Sequence, residues 1–218
     1  MFSPTRGGYV PIPAEYRSWR AVPASHFIDP MMRYLGHEYY VGYLSAAEVH
    51  GAAHQRPQVF QVITEARLND RTFDRVTIEF TTSAKTATRP TTTVNTPTGT
   101  MKVSVPEITV LDLVASPAHG GGLSNIATVL SELLGDGLLN VPRLAELAKD
   151  YPAAVSQRTG WLLELVAGEI GAELDLAPLE HVAHARLKPT PLAAAGRRTG
   201  PFNGRWNIVV NTDVEPDL

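Results

Sequence analysis

His50 and His54 stand four residues apart, just after Glu48. On a helix that spacing sets two imidazoles on one face, as a divalent metal site requires. Gly51 falls between them, though, where it ends a helix, and Glu48 precedes the pair, so no HExxH is formed. Two histidines satisfied at a helix end are the preferred reading, and no metal ligand is assigned. Gly120, Gly121 and Gly122 lead through Leu123 to Ser124 at the start of an apolar helical repeat. A glycine-rich turn at a helix N-terminus holds phosphate through free amides. Neither a Gly-Lys-Ser/Thr triplet nor a GxGxxG after a strand accompanies it, so a loop with Ser124 as helix cap is favoured. Asp112 lies between Leu111 and Leu113, where a carboxylate is more often tied to a backbone amide or an arginine than catalytic. No Ser-His-Asp arrangement is identifiable. No catalytic residue and no cofactor is assigned. A metal-dependent nuclease or phosphotransfer enzyme using Asp112, His50 or His54 is kept as a third possibility.

The charge pattern says more. Net charge is −3 and the pI is near 6.2, so nucleic-acid contact needs a local patch. Between His181 and Thr212 lie Arg186, Lys188, Arg197, Arg198 and Arg205, with no acidic residue among them. Residues 190–204 read as an exposed loop with Arg197 and Arg198 at its centre, and loops on a rigid scaffold often carry binding. Such a patch suits RNA, DNA or an acidic protein surface. Arg6, Arg17 and Arg20 form a second basic set near the start of the chain, and Asp213, Glu215 and Asp217 make an acidic tail. The absence of cysteine excludes disulfides, Cys-ligated zinc, Fe–S clusters and a Cys nucleophile, and fits a reducing cytosol. Residues 1–16 hold three prolines and no apolar run, unlike a signal peptide. Stretches such as 161–168 are too short to span a bilayer. A cytoplasmic protein with no membrane partner is expected.

The positioning elements follow from periodicity. Residues 6–12 read as an edge strand, limited by Pro11 and Pro13. Asp29 before Pro30 looks like the N-cap of a short helix ending at Gly36. Residues 39–43 are β-prone. Ser45 and Glu48 have capping-box spacing for a helix that ends at Gly51. Residues 59–66 read as a strand, and residues 75–82 alternate, with Val76, Ile78 and Phe80 on one face. Ten threonines between 81 and 100, with Pro97 and Gly99 at a turn, predict a hairpin of 91–95 and 99–105. Helices are expected over 104–113, 123–134, 141–150, 153–170 and 176–184, then late strands at 185–188 and 206–210. Strand runs, helix runs and late strands together predict an α+β fold: a mixed sheet packed with several helices and a mainly helical C-terminal half.

The block from Tyr39 to Val62, YYVGYLSAAEVHGAAHQRPQVFQV, resembles the signature of AbiEi-type antitoxins of bacterial type IV toxin–antitoxin systems. The resemblance continues in RGGYVPIPAEY (6–16), VPEITVLDLV (105–114), WLLELV (161–166) and GRWNIVVNTDVEPD (204–217), the last with an RWxxxxN pattern. It implies a protein that counteracts a nucleotidyltransferase-like toxin encoded beside it. Many members of that family also repress their own promoter through an N-terminal winged helix-turn-helix. Here residues 1–13 resemble only the wing of that module, and 14–218 the antitoxin domain. Reading the major groove needs a recognition helix, and none is expected before Asp29. An autoregulator that binds promoter DNA, or a protein that meets RNA, is thus the alternative to a toxin-neutralising protein. Direct contact with the toxin, competition for its nucleic-acid substrate and reversal of its modification all remain open. The candidate contact residues are Arg6, Arg17, Arg20, Arg186, Lys188, Arg197, Arg198 and Arg205.

Overall fold

The computed structural model describes residues 1–53, 57–184 and 188–217, which form two compact units. The fold is α+β, as the sequence predicts. The first unit comprises, among the described residues, 1–49 and 57–105. It is built on a mixed six-stranded sheet of β3 (Tyr39–Val41), β4 (Phe60–Thr64), β5 (Arg71–Phe73), β6 (Val76–Thr82), β7 (Thr91–Thr96) and β8 (Gly99–Ser104). The spatial order is β5-β6-β4-β3-β8-β7. β3 pairs with β8 in parallel and with β4 antiparallel, and β4 pairs with β6 in parallel. All three residues of β3 are buried, as befits a central strand covered on both faces. Helix α1 (Ile28–Leu35) and helix α2 (Tyr43–Val49) place Met31, Met32 and Ala46 in one core with Val41, Val62, Ile78 and Val103.

Residues 1–13 fold as a two-stranded hairpin of β1 (Phe2–Thr5) and β2 (Gly8–Val10). An aromatic cluster staples it to the first unit. The Phe2 ring lies 5.2 Å from Phe27 and 5.4 Å from Phe73, and Phe27 lies 6.0 Å from Phe73. Rings at these separations add to the burial of their area. Tyr34 also donates its hydroxyl to the Arg6 carbonyl (3.3 Å).

Two cap expectations are corrected. Asp29 is not the cap of α1, because Phe27 holds that position. Asp29 sits within the first turn, paired with Arg33 (2.9 Å) and accepting from the Tyr39 hydroxyl (3.0 Å). Ser45 is no capping-box residue, because α2 already begins at Tyr43. Its hydroxyl accepts from the Gln61 N–H (2.9 Å) and donates to the Val59 carbonyl (3.3 Å). The Gln61 side-chain carbonyl accepts instead from the Leu44 N–H (2.9 Å). A side chain from the neighbouring strand thus satisfies an orphan donor of α2. The turn from β3 into α2 is tight: Tyr43 has φ +52°, and a Cβ on Gly42 would stand 2.6 Å from Ile63 Cδ1.

The second unit, residues 50–53 and 106–217 among those described, is mainly helical. It contains α3 (Pro106–Ala115), α4 (Leu123–Gly135), α5 (Val141–Ala148), α6 (Ala153–Ile170) and α7 (Ala177–Ala183). Every residue of α3 from Glu107 to Val114 is buried, so this helix is the spine of the unit. On this helix Glu107 accepts from the Asn140 N–H through Oε1 (3.2 Å), and Asp112 from the Tyr151 hydroxyl (2.7 Å). Asn140 caps α5 by accepting from the Arg143 N–H (2.9 Å). A small sheet closes the unit, with β9 (Thr190–Pro191) parallel to β11 (Ile208–Val209) and β10 (Phe202–Asn203) antiparallel to it. The late strand expected at 185–188 falls on 185–187, outside the described residues, and Lys188 lies in a bend.

Candidate functional site

The strands β9, β10 and β11 hold the loop that carries Arg197 and Arg198. The Leu192 N–H donates to the Val209 carbonyl (2.9 Å), and the Val210 N–H to the Pro201 carbonyl (2.8 Å), closing both ends of the loop. A Cβ on Gly200 would stand 2.0 Å from the Val210 carbonyl oxygen, so this close backbone approach requires glycine. Asn211 fixes the first half. It accepts from the Ala193 N–H (2.9 Å) and donates to the carbonyls of Ala193 (3.0 Å) and Arg197 (2.6 Å).

The strands in turn are anchored to α6. Trp206 is fully buried, and its indole N–H donates to Glu164 (2.7 Å). The ring lies against Gly160, where any Cβ would come within 2.0 Å of it. Arg205 reaches Glu164 (2.5 Å) and Glu180 (3.0 Å), and its guanidinium stands 5.2 Å from the Trp206 ring. Hydrogen bonds to Glu180 and Glu164 raise its pKa and keep it charged. On β9, Thr190 donates to Gln157, and Arg158 donates through Nε and Nη2 to the Pro191 carbonyl (3.1 Å each). Each constant residue of the RWxxxxN pattern therefore has an anchoring job: Arg205 and Trp206 on α6, Asn211 on the loop.

The result is a fixed loop with an exposed cationic tip. Arg197, Arg198 and Lys188 are exposed, and no acidic partner faces them among the described residues. Arg205 belongs to the support, because its charge is already matched by two carboxylates. Arg186 lies outside the described residues. Arg6, Arg17 and Arg20 are exposed too, but they belong to the first unit. The candidate residues therefore form two sets on two units. Sequence reasoning missed Gln157, Glu164 and Glu180, which hold the site from helices α6 and α7. Only Asn211 carried a signal, as the last letter of its motif.

The other candidate chemistries find structural partners instead. Ser124 does not cap α4, whose cap position is Gly122. Its hydroxyl accepts from the Glu215 N–H (3.2 Å), while Thr128 accepts from the Asp217 N–H (2.8 Å), so the acidic tail lies along α4. Gly120 is packed under Ile126 and Leu113, and Gly121 and Gly122 have φ of +71° and +99°, so these glycines serve the turn itself. His54 lies outside the described residues. Among the described residues no three His, Asp or Glu side chains converge as metal ligands. A cavity of about 540 Å³ opens in the first unit beside Ser25, Glu48, Phe60, Arg75 and Met101. Its described walls hold no histidine, lysine, aspartate or tyrosine, and its Ser45 hydroxyl is committed to the β4 backbone.

The arrangement defines an α+β protein that presents a rigid cationic loop and no recognisable reaction centre among the described residues. A model of the AbiEi antitoxin C-terminal domain matches residues 40–165, and the chain belongs to that family. The matched segment runs through both units and stops before the arginine loop. No curated protein matches the chain. Among solved structures, the RV2827C protein from Mycobacterium tuberculosis is similar, with a TM-score of 0.59 and 16% identity. That match covers 83% of this chain and 65% of the other, so this chain spans about two-thirds of its length, and the likeness is one of fold. No described helix is long and apolar enough to cross a membrane.

Proposed function

We propose that this chain acts as a cytoplasmic antitoxin, counteracting a nucleotidyltransferase-like toxin encoded beside it by binding and without catalysis of its own. Family membership over residues 40–165 carries the reading. The Arg197–Arg198 tip is the surface assigned to contact, because its cations are exposed on a loop whose backbone is held at both ends, and a held backbone lowers the ordering cost of binding. Arginine also suits both targets that matter here, the carboxylates of an acidic protein surface and the phosphates of a nucleic-acid substrate.

The test is growth of cells expressing the adjacent toxin gene, with and without this chain, followed by affinity capture on the toxin. Rescue with co-capture means direct neutralisation. Rescue without capture moves the action to the toxin's target or its modification. Absence of rescue removes the proposal.

The alternative, a promoter-binding autoregulator, is favoured by the exposure of Arg6, Arg17 and Arg20 on the first unit. It requires promoter binding that weakens steeply with salt. No mobility shift at low salt eliminates it.

A further inference from the structure

The six-stranded sheet ends at β7, and this edge lacks the protections that sheet edges usually carry. Natural edges are blunted by lysine, proline, bulges or inward charges, because a row of unpaired N–H and C=O groups templates another strand. β7 reads Thr91, Thr92, Thr93, Val94, Asn95 and Thr96, with no charge and no proline, and its register with β8 runs unbroken from Thr91↔Ser104 to Thr96↔Gly99.

Which groups face outward follows from the ladder. The Val105 N–H donates to the Pro90 carbonyl (3.3 Å), which extends the register one step beyond Thr91↔Ser104. Antiparallel pairs alternate between bonded and non-bonded. Thr92, Val94 and Thr96 therefore exchange bonds with β8, and Thr91, Thr93 and Asn95 turn their N–H and C=O groups away from the sheet. Those outward groups have no backbone or side-chain partner among the described residues, and all three side chains are exposed.

We propose that β7 pairs antiparallel with β7 of a second copy of this chain, about a twofold axis through Thr93. The sequence of the strand is self-complementary in that register. Thr93 meets Thr93 of the second copy, and Thr91 meets its Asn95, on the outer face. Thr92 meets its Val94 on the face that continues the core, where Val94 already packs. Three bonded pairs supply about six interchain hydrogen bonds. Polar cross-strand pairs add to them, and the absence of charge matters because a charge near a twofold faces its own copy. A partner selected by charge would be met by charges on the edge, and β7 has none. One pair of six-residue strands is smaller than the roughly 1,200–2,000 Å² of a standard stable interface. The dimer is therefore weak and concentration-dependent.

Sedimentation equilibrium from micromolar to millimolar chain tests this, together with amide hydrogen exchange at both ends of that range. The expected result is a reversible monomer–dimer equilibrium with slower exchange at Thr91, Thr93 and Asn95 in the concentrated sample. Exchange at Thr92, Val94 and Thr96 is slow throughout. Thr93→Pro removes an outward N–H without touching the β8 ladder, and Thr93→Lys sets like charges together on the axis. Both abolish the dimer while leaving circular dichroism and melting unchanged, and Thr93→Ser retains it. A dimer that survives both substitutions uses another surface and overturns the proposal. A monomer at every concentration also overturns it, even if a captured toxin protects the same amides, since the edge then belongs to that partner.

Discussion

Gly160→Ala should destabilise the second unit, although helix preference argues the reverse. Gly160 lies inside α6, where alanine is worth about 1 kcal/mol over glycine in an exposed helix. Here the added Cβ would stand 2.0 Å from Trp206 Cζ3, 2.1 Å from Cε3 and 2.6 Å from Cη2. The indole cannot swing aside freely. It is fully buried, its N–H is bonded to Glu164, and the Arg205 guanidinium lies close to its ring. Overpacking a filled core costs about 1–3 kcal/mol. Breaking the Trp206–Glu164 bond adds about 1.5–3 kcal/mol, the value for a bond to a charged group. The sum exceeds the helix gain, so a net loss of about 1.5–5 kcal/mol is expected. The assay is urea unfolding followed by far-ultraviolet circular dichroism, repeated in a Trp206→Leu background. With the ring gone, the same Gly160→Ala change should stabilise by up to about 1 kcal/mol. That reversal of sign is the signature of the contact. If Gly160→Ala alone raises the urea midpoint, the ring does not press on α6, and the anchoring role given to Trp206 fails.

Three further outcomes are expected. Asn211→Ala removes three hydrogen bonds from the loop, at about 0.5–1.5 kcal/mol each. Exchange of the Ala193 amide should quicken, and the melting temperature should fall with the lost bonds. Arg197→Ala with Arg198→Ala should leave melting within about 0.5 kcal/mol, as for other surface changes, while rescue from the toxin falls; undiminished rescue removes the loop from the contact surface. Tyr39 is held protonated by burial, with its hydroxyl also bonded to Asp29, so its folded pKa lies above the ordinary value of 10.0. The folded state then binds more protons than the unfolded chain once pH passes that value. Stability from this group should be fully present below about pH 10 and fall above it, and Tyr39→Phe should flatten that alkaline limb in urea titrations across pH.

Much of the framework was legible in the sequence because it rests on local rules. The alternation of Val76, Ile78 and Phe80 marks β6. The turn at Pro97 and Gly99 marks the β7–β8 hairpin, and the span 153–170 is helix α6 residue for residue. Pro142 in the first turn and Gly36 at a C-cap act through backbone geometry that any chain obeys. The family resemblance was legible for the same reason: its blocks are contiguous in the chain.

What the sequence by itself did not determine was the partner of each polar group. Ser45 and Glu48 have the spacing of a capping box, yet Ser45 serves the β4 backbone and Gln61, sixteen residues on, satisfies α2. Ser124 looks like a cap and instead receives the acidic tail. Arg205 reads as one more free cation, and only the packing of the turn between β10 and β11 against α6 and α7 brings Glu164 and Glu180 to it. A hydrogen bond between groups distant in sequence has no periodicity, because it is set by where two elements meet and not by the spacing within either. The tertiary structure thus decided that Arg205 supports the loop, while Arg197 and Arg198 remain exposed at its tip.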